Sequence, residues 1–128
     1  MHLPKTILIC GKRLKIRPMK EQSLIRKAKV VMKLDAAHGA LYGFVDITKL
    51  IIYINSDYAP VHQAETLIHE LLHVIHDVIS NSDVENPFTK GSEEDYCSLV
   101  DGPWMQVLTE NPELLTYLGW IGNAKKTI

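Results

Sequence analysis

The hydrophobic positions change period along the chain, and each change predicts a different element. Residues Thr6–Cys10 and Arg13–Arg17 form two short β-type runs separated by a Gly-Lys pair. In the second run, Leu14 and Ile16 alternate with cations, which is typical of a strand with one buried and one wetted face. The two runs therefore predict a hairpin, and Pro18 is expected to end its second strand.

The next segment, Glu21–Leu34, repeats apolar residues every three and four positions, which predicts an amphipathic helix. Its last part, Val30-Val31-Met32, fits a strand equally well. Two further β-rich runs, Leu41–Ile47 and Leu50–Ile54, are joined by a Thr-Lys pair and predict a second hairpin. The chain is then expected to turn at Asp57–Pro60.

From Gln63 to about Ile79 the period of three and four returns without Pro or Gly, so a long helix is predicted. The composition of Asn81–Ser92 indicates a loop, and Ser92 is a suitable N-cap for a further helix. Pro103 is expected to interrupt that helix, and a last one should begin near Asn111-Pro112. Together these elements predict an α+β fold, a small antiparallel sheet packed on the central helix with C-terminal helices, in one domain over residues 1–128.

The composition is that of an ordinary folded domain: of 128 residues, 46% are apolar and 23% charged, which excludes a disordered chain. The longest apolar run, Leu50–Ile54, is too short for a membrane helix, and the N-terminal apolar run is too short for a secretory signal. We therefore expect a cytoplasmic protein with no membrane association. Cys10 and Cys97 are far apart in sequence and are interpreted as buried thiols.

Charge is divided unevenly along the chain. Residues 1–49 hold 11 of the 14 Lys/Arg and three of the 15 Asp/Glu. Such a division fits a basic surface for nucleic acid or an acidic partner, or two halves that attract each other on folding. The second interpretation is favoured, because no aromatic residues are interleaved with the cations.

The central helix contains His69-Glu70-Leu71-Leu72-His73. Two imidazoles four positions apart share one face of a helix, so both can bind one Zn²⁺, with Glu70 beside them. The surrounding leucines and isoleucines predict that the helix is largely buried, and buried histidines need hydrogen bonds or a metal. A metal site is favoured over histidines satisfied by hydrogen bonds.

A catalytic zinc usually takes three protein ligands, so a third is expected from elsewhere in the chain. The carboxylates of Glu93, Glu94 and Asp95 are the candidates. Glu93 is the first choice, because it shares a helix face with Tyr96, Val100, Trp104 and Val107. Glu94 is the second choice, since helix starts fray.

Other polar residues on or near this helix receive weaker interpretations. Asp77 could accept a hydrogen bond from the second ring N–H of a ligand imidazole, but a solvated position is favoured. His76 is interpreted as a residue of the helix rim. No role is assigned to His2, His38 or His62.

The segment Glu65–His73, together with Tyr42-Gly43 and the Ile51–Ile54 strand before it, resembles small HExxH proteins of phages and mobile elements. The later Ser92-Glu93-Glu94 and Asn111-Pro112-Glu113-Leu114 fit the same pattern. These proteins are similar to the ImmA/IrrE-type zinc peptidases, which cleave repressors, and to the wider thermolysin-like group. The chain lacks their Glu-Ala-Asn/Asp-x-Phe-Ala signature and the Met-Pro that follows it.

The resemblance implies a minimal zincin-like domain in which His69, His73 and Glu93, or alternatively Glu94, bind Zn²⁺. It also implies that Glu70 is the general base on a metal-bound water. The predicted function is thus a cytosolic zinc metallopeptidase that hydrolyses a protein or peptide. The alternatives are a binding module for nucleic acid or protein with a structural metal, and a peptidase fold that binds without cutting.

Overall fold

The computed structural model describes residues 2–32, 41–80 and 103–126. Within them each of two pairs of strands is followed by a helix, and two further helices come last. In chain order they are β1 (Thr6–Ile9), β2 (Lys12–Met19), α1 (Glu21–Met32), β3 (Gly43–Asp46), β4 (Ile51–Asn55), α2 (Pro60–Ser80), α3 (residues 103–110) and α4 (Pro112–Lys126). The predicted α+β class is confirmed.

The four described strands form one sheet in the order β1-β2-β4-β3. Both predicted hairpins are present, as the antiparallel pairs β1–β2 and β3–β4. The expectation of a wholly antiparallel sheet is wrong, because β2 and β4 pair in parallel. A parallel pair needs a long crossover, and the chain between β2 and β4, which contains α1 and β3, supplies it.

The two faces of the sheet are covered to different extents. On one face, Leu24 and Ala28 of α1 pack against Phe44, Ile51 and Tyr53, which belong to β3 and β4. On the other face, α2, α3 and α4 pack across β1, β2 and β4 in a larger core. Strand β4 is therefore buried on both sides, which explains its unbroken apolar sequence.

Strand β2 has one buried and one exposed face, as its alternation predicts. The expectation that Pro18 ends this strand is wrong, because β2 continues to Met19. The Ile16 N–H donates to the Lys5 carbonyl on the β1 side, and Pro18 has the same parity as Ile16. The backbone nitrogen of Pro18 therefore also points toward β1. Strand β1 begins at Thr6, opposite Lys15, so it has no residue opposite Pro18, and the missing N–H costs no hydrogen bond between these strands.

The turn of the first hairpin lies one residue earlier than predicted. Cys10 and Gly11 have φ angles of 49° and 77°, and a two-residue turn with positive φ at both positions matches the twist of the strands that it joins.

The central helix is confirmed and is longer than predicted. It begins at Pro60 rather than Gln63, with proline in the first turn, where its missing N–H breaks no helical bond. Pro103 lies in helical backbone at the start of α3, and Pro112 begins α4 as expected. The predicted loop Asn81–Ser92 and the helix expected from Ser92 lie outside the described residues. None of the described helices could cross a bilayer.

Asn111, between α3 and α4, attaches these helices to the edge of the sheet. Its side-chain oxygen accepts from the Leu8 N–H, and its nitrogen donates to the Leu8 carbonyl, both at 2.7 Å. The same nitrogen donates to the Val107 carbonyl at 2.9 Å. The buried amide thus occupies the outward backbone groups of Leu8 as a further strand would.

Candidate metal centre

Helix α2 divides its residues between the core and a polar side. Leu67, Leu71 and Ile75 are completely buried against the sheet. His69 and His73 lie on the exposed side, one turn apart, and Glu70 is buried between the two environments. The sequence produces this arrangement because the apolar and polar residues each repeat at helical spacing.

The two imidazoles converge on one point. Their Nε2 atoms lie 3.1 Å apart, and the ring planes cross at 84°. Ligand atoms of His69, Glu70 and His73 all lie within 4.8 Å of one another. The sequence-predicted His-Glu-His group is therefore brought together.

This geometry and donor chemistry fit a zinc ion. Two nitrogens bound to one Zn²⁺ at their usual bond length in a tetrahedral site are separated by about 3.3 Å. The observed Nε2–Nε2 distance is close to this value. Imidazole nitrogen is a common zinc ligand, so the two histidines fit the metal.

Burial changes the proton affinity of two members of the group. It raises the pKa of Glu70, an effect that the neighbouring His69 partly opposes. Partial burial also lowers the pKa of His73, and the imidazoles of His69 and His76 lower it further. A neutral imidazole is the form that binds a metal, so the environment favours His73 as a ligand.

Two cavities lie beside this group, along strand β3. The first, of about 470 Å³, is lined by residues that include His69 and Glu70 from α2 and Tyr42 and Gly43 from the β3 side. The second, of about 360 Å³, also borders Gly43 and Glu70 and continues past His73. Strand β3 is an edge strand, so the two cavities form a groove between the sheet edge and α2.

Gly43 allows β3 to approach α2 closely. A Cβ atom at this position would lie 2.5 Å from the Tyr53 carbonyl oxygen and 2.7 Å from Cγ2 of Thr66. Neither distance is possible for real atoms, so only glycine permits this spacing. The width of the groove beside Glu70 therefore depends on the absence of a side chain at Gly43.

Tyr42, which lines the first cavity, belongs to an aromatic pair. The rings of Tyr42 and Tyr58 are 4.6 Å apart, and His62 contacts Tyr58 edge-on at 6.5 Å. His62 belongs to no motif in the sequence, although its position seven residues before His69 places both on one side of the helix. That spacing was the available signal, whereas the approach of Tyr42 depends on tertiary packing.

The remaining predicted site residues fall into two groups. His76 and Asp77 are half-buried and line the second cavity with His73, and their suggested roles stay predictions. Glu93, Glu94 and Asp95 lie outside the described residues, so the third ligand also stays a prediction.

Comparison with known protein families gives a match that covers the candidate site. The family model of the IrrE N-terminal-like domain, peptidase family M78, matches residues 26–95, which is more than half of the chain. The match includes β3, β4, all of α2 and the three candidate carboxylates. Searches of curated proteins and of solved structures found no match.

Proposed function

This chain belongs to the M78 peptidases with an IrrE N-terminal-like domain, and from that premise we propose that it is a zinc-dependent metallopeptidase of the cytoplasm, acting on a protein or peptide. The observation that carries the proposal is the convergence of the His69 and His73 Nε2 atoms, 3.1 Å apart, beside the buried carboxylate of Glu70.

In this proposal His69, His73 and Glu93 hold the zinc ion, with Glu94 as the second choice for the third position. The family match supports an acidic ligand from this segment, because it extends to residue 95. The helix-face argument favours Glu93 over Glu94, since Glu93 shares a face with the apolar residues expected to pack on α2.

When bound, zinc would polarise the scissile carbonyl and lower the pKa of a water molecule to about 7. Glu70 accepts the proton of the attacking water and then gives it to the leaving amine. The Glu70 carboxylate lies within 4.8 Å of the ligand nitrogens of His69 and His73, which would leave it close to a water molecule held there when zinc is bound. Its burial keeps bulk water away from the proton that it transfers.

The substrate would lie in the groove between β3 and α2. An extended peptide can add to an exposed sheet edge through main-chain hydrogen bonds, and β3 is the edge strand next to His69 and Glu70. Tyr42, supported from behind by Tyr58, then forms one wall for a substrate side chain.

Metal analysis of the protein purified without added zinc tests the metal site. We expect about one zinc per chain in the wild type and a large loss in His69→Ala and His73→Ala. His62→Ala is the matched control, since it removes a histidine from the same side of α2 and should leave the metal content unchanged. A wild-type protein with only traces of zinc would contradict the proposal.

Hydrolysis is tested separately with Glu70→Gln. This variant should keep its zinc and lose peptide cleavage by a factor of at least about 100, because it removes the proton acceptor. Cleavage at the wild-type rate by the zinc-loaded variant would refute the assigned mechanism. Cleavage by neither protein, with zinc present in both, would favour a fold that binds without cutting.

The third ligand is tested by comparing Glu93→Ala with Glu94→Ala. We expect the zinc affinity to fall strongly in the first variant and to change little in the second. The reverse result would assign the ligand to Glu94, and an unchanged affinity in both would exclude this pair.

A further inference from the structure

In the described part of the chain, half of the sheet face that lies away from the metal centre has no helix packed on it. Helix α1 packs on β3 and β4 and reaches β2 only at Met19, and on that face no described helix packs on β1 or on the rest of β2. Four side chains of β2 point to this side: Met19, at the end of the strand, is half-buried against the α1 cluster, whereas Arg13, Lys15 and Arg17 are exposed. Leu14 and Ile16, of the opposite parity, point into the core with α2.

These three cations form a row without countercharges in the described part of the chain. They are spaced two residues apart along one strand, so their side chains leave the sheet in the same direction. Among the described residues, none of the three has a carboxylate within ion-pair distance. Like charges on neighbouring positions of one face repel each other, and no described acidic residue offsets this repulsion along the row.

A fourth cation borders the row on the α1 side. The Nζ atom of Lys27 lies 5.8 Å from the centre of the Tyr53 ring. Tyr53 is the β4 partner of Arg17 in the parallel register. Lys27, which lies over the Tyr53 ring, is therefore close to the Arg17 end of the row. We define the basic face as Arg13, Lys15, Arg17 and Lys27.

We propose that the basic face binds the phosphate backbone of nucleic acid without sequence preference. Protein interfaces usually contain aromatic or aliphatic anchors in a central pocket, and this face presents cations instead. A row of cations on a strand suits a polyanion with regularly spaced charges, where binding gains free energy from released counterions. A guanidinium group, such as that of Arg13 or Arg17, can also donate two parallel hydrogen bonds to two oxygens of one phosphate.

The basic face is separate from the candidate metal centre. It lies on the opposite side of the sheet from α2, and β2 is two strands away from β3, about 10 Å. Nucleic-acid binding should therefore be independent of the peptidase proposal, and Glu70→Gln should not change it.

The test measures binding of a fluorescently labelled 20-base-pair DNA duplex to the full chain at several salt concentrations. We expect a dissociation constant of about 1–100 µM near physiological salt and a steep weakening as salt rises. The triple variant Arg13→Gln/Lys15→Gln/Arg17→Gln should bind at least about tenfold more weakly. The slope of the logarithm of its binding constant against the logarithm of the salt concentration should be smaller in magnitude by about three. An RNA duplex of equal length is the second probe, and tighter binding of one duplex identifies which polymer the face takes.

The matched control is Arg26→Gln/Lys29→Gln/Lys49→Gln, which removes the same charge from exposed positions outside the face. It should weaken binding by less than about twofold to threefold. Equal weakening by both triple variants, or no salt-dependent binding by the wild type, would overturn the proposal. So would equally tight binding of poly-glutamate, which would indicate an acidic protein partner.

Thermal unfolding of the same variants gives an independent check. The face variant should be at least as stable as the wild type, because neutralisation removes repulsion. A clear loss of stability confined to the face variant would mean that these cations pair with acidic residues of the chain itself, and the proposal would then be wrong.

Discussion

At the scale of single residues, Gly43 sets the distance between β3 and α2. We expect Gly43→Ala to lower the free energy of unfolding by about 1–3 kcal/mol, because the added methyl group must push β3 away from Thr66 and from the Tyr53 carbonyl. Chemical denaturation of the metal-free protein measures this change.

Gly122→Ala is the matched control for that prediction. Gly122 lies inside α4, and no atom lies within 4 Å of the position that a Cβ would take there. Alanine should therefore stabilise the helix by about 0.5–1 kcal/mol. A Gly43→Ala variant that is as stable as the wild type would show that β3 can move without cost.

Asp46, at the end of β3, makes the stability of the second hairpin depend on pH. It accepts hydrogen bonds from the Thr48 hydroxyl at 2.7 Å and from the Lys49 N–H at 3.2 Å. The Thr48 bond lowers the pKa of Asp46 most, burial opposes this effect, and the backbone bond and charge of Lys49 lower the pKa further.

Because the folded-state pKa of Asp46 is below its unfolded value, the carboxylate contributes stability at pH values above about 4. That contribution should disappear as the pH falls through the lowered folded-state pKa. We expect Asp46→Asn to be about 1 kcal/mol less stable than the wild type at pH 7, and the difference to be smaller near pH 2. Denaturation in EDTA at both pH values measures the difference, and a constant difference would contradict the assignment.

The sequence was sufficient to predict the His-Glu-His group, because i, i+4 spacing on a helix determines which side chains meet. It was not sufficient to predict that Gly43 and Tyr42 belong to the site, because their closeness to α2 depends on how separate elements pack. The buried state of Glu70 could be anticipated from the apolar residues around it, whereas the third ligand depends on a segment outside the described residues.

At the scale of elements, the hairpins and helices were predictable from local periodicity, and the β2–β4 pairing was not. The two strands are separated by a helix and a further strand, so no turn sequence specifies their register. The unbroken apolar run of β4 did carry a signal, since strands buried on both faces are typical of parallel pairing.

Asn111 joins the C-terminal helices to β1, and its loss should affect both elements. We expect Asn111→Ala to lower the free energy of unfolding by about 2–4 kcal/mol, because it leaves backbone groups of Leu8 without their partner. Hydrogen exchange of the Leu8 amide should accelerate selectively. Thr116→Ala, which removes one exposed hydroxyl bond in α4, is the control and should cost less than about 0.5 kcal/mol.

At the scale of the whole molecule, metal binding should be coupled to folding. If the third ligand comes from residue 93, the ion joins α2 to a segment about 20 residues further along the chain. Zinc at about 1,000 times its dissociation constant should then raise the free energy of unfolding by about 4 kcal/mol. Unfolding in zinc and in EDTA measures this, Glu70→Gln should show the same gain, and a gain retained in His69→Ala would contradict the site.

The two outer strands of the sheet differ in their capacity for self-assembly. Open-ended stacking of identical chains into a fibre requires each copy to offer two complementary borders, one to give and one to receive. The Asn111 amide already occupies one border at Leu8. Among the described strands the remaining border is β3. Two copies that pair through β3 use up this border on both sides, so association through it ends at a dimer and does not continue into a fibre.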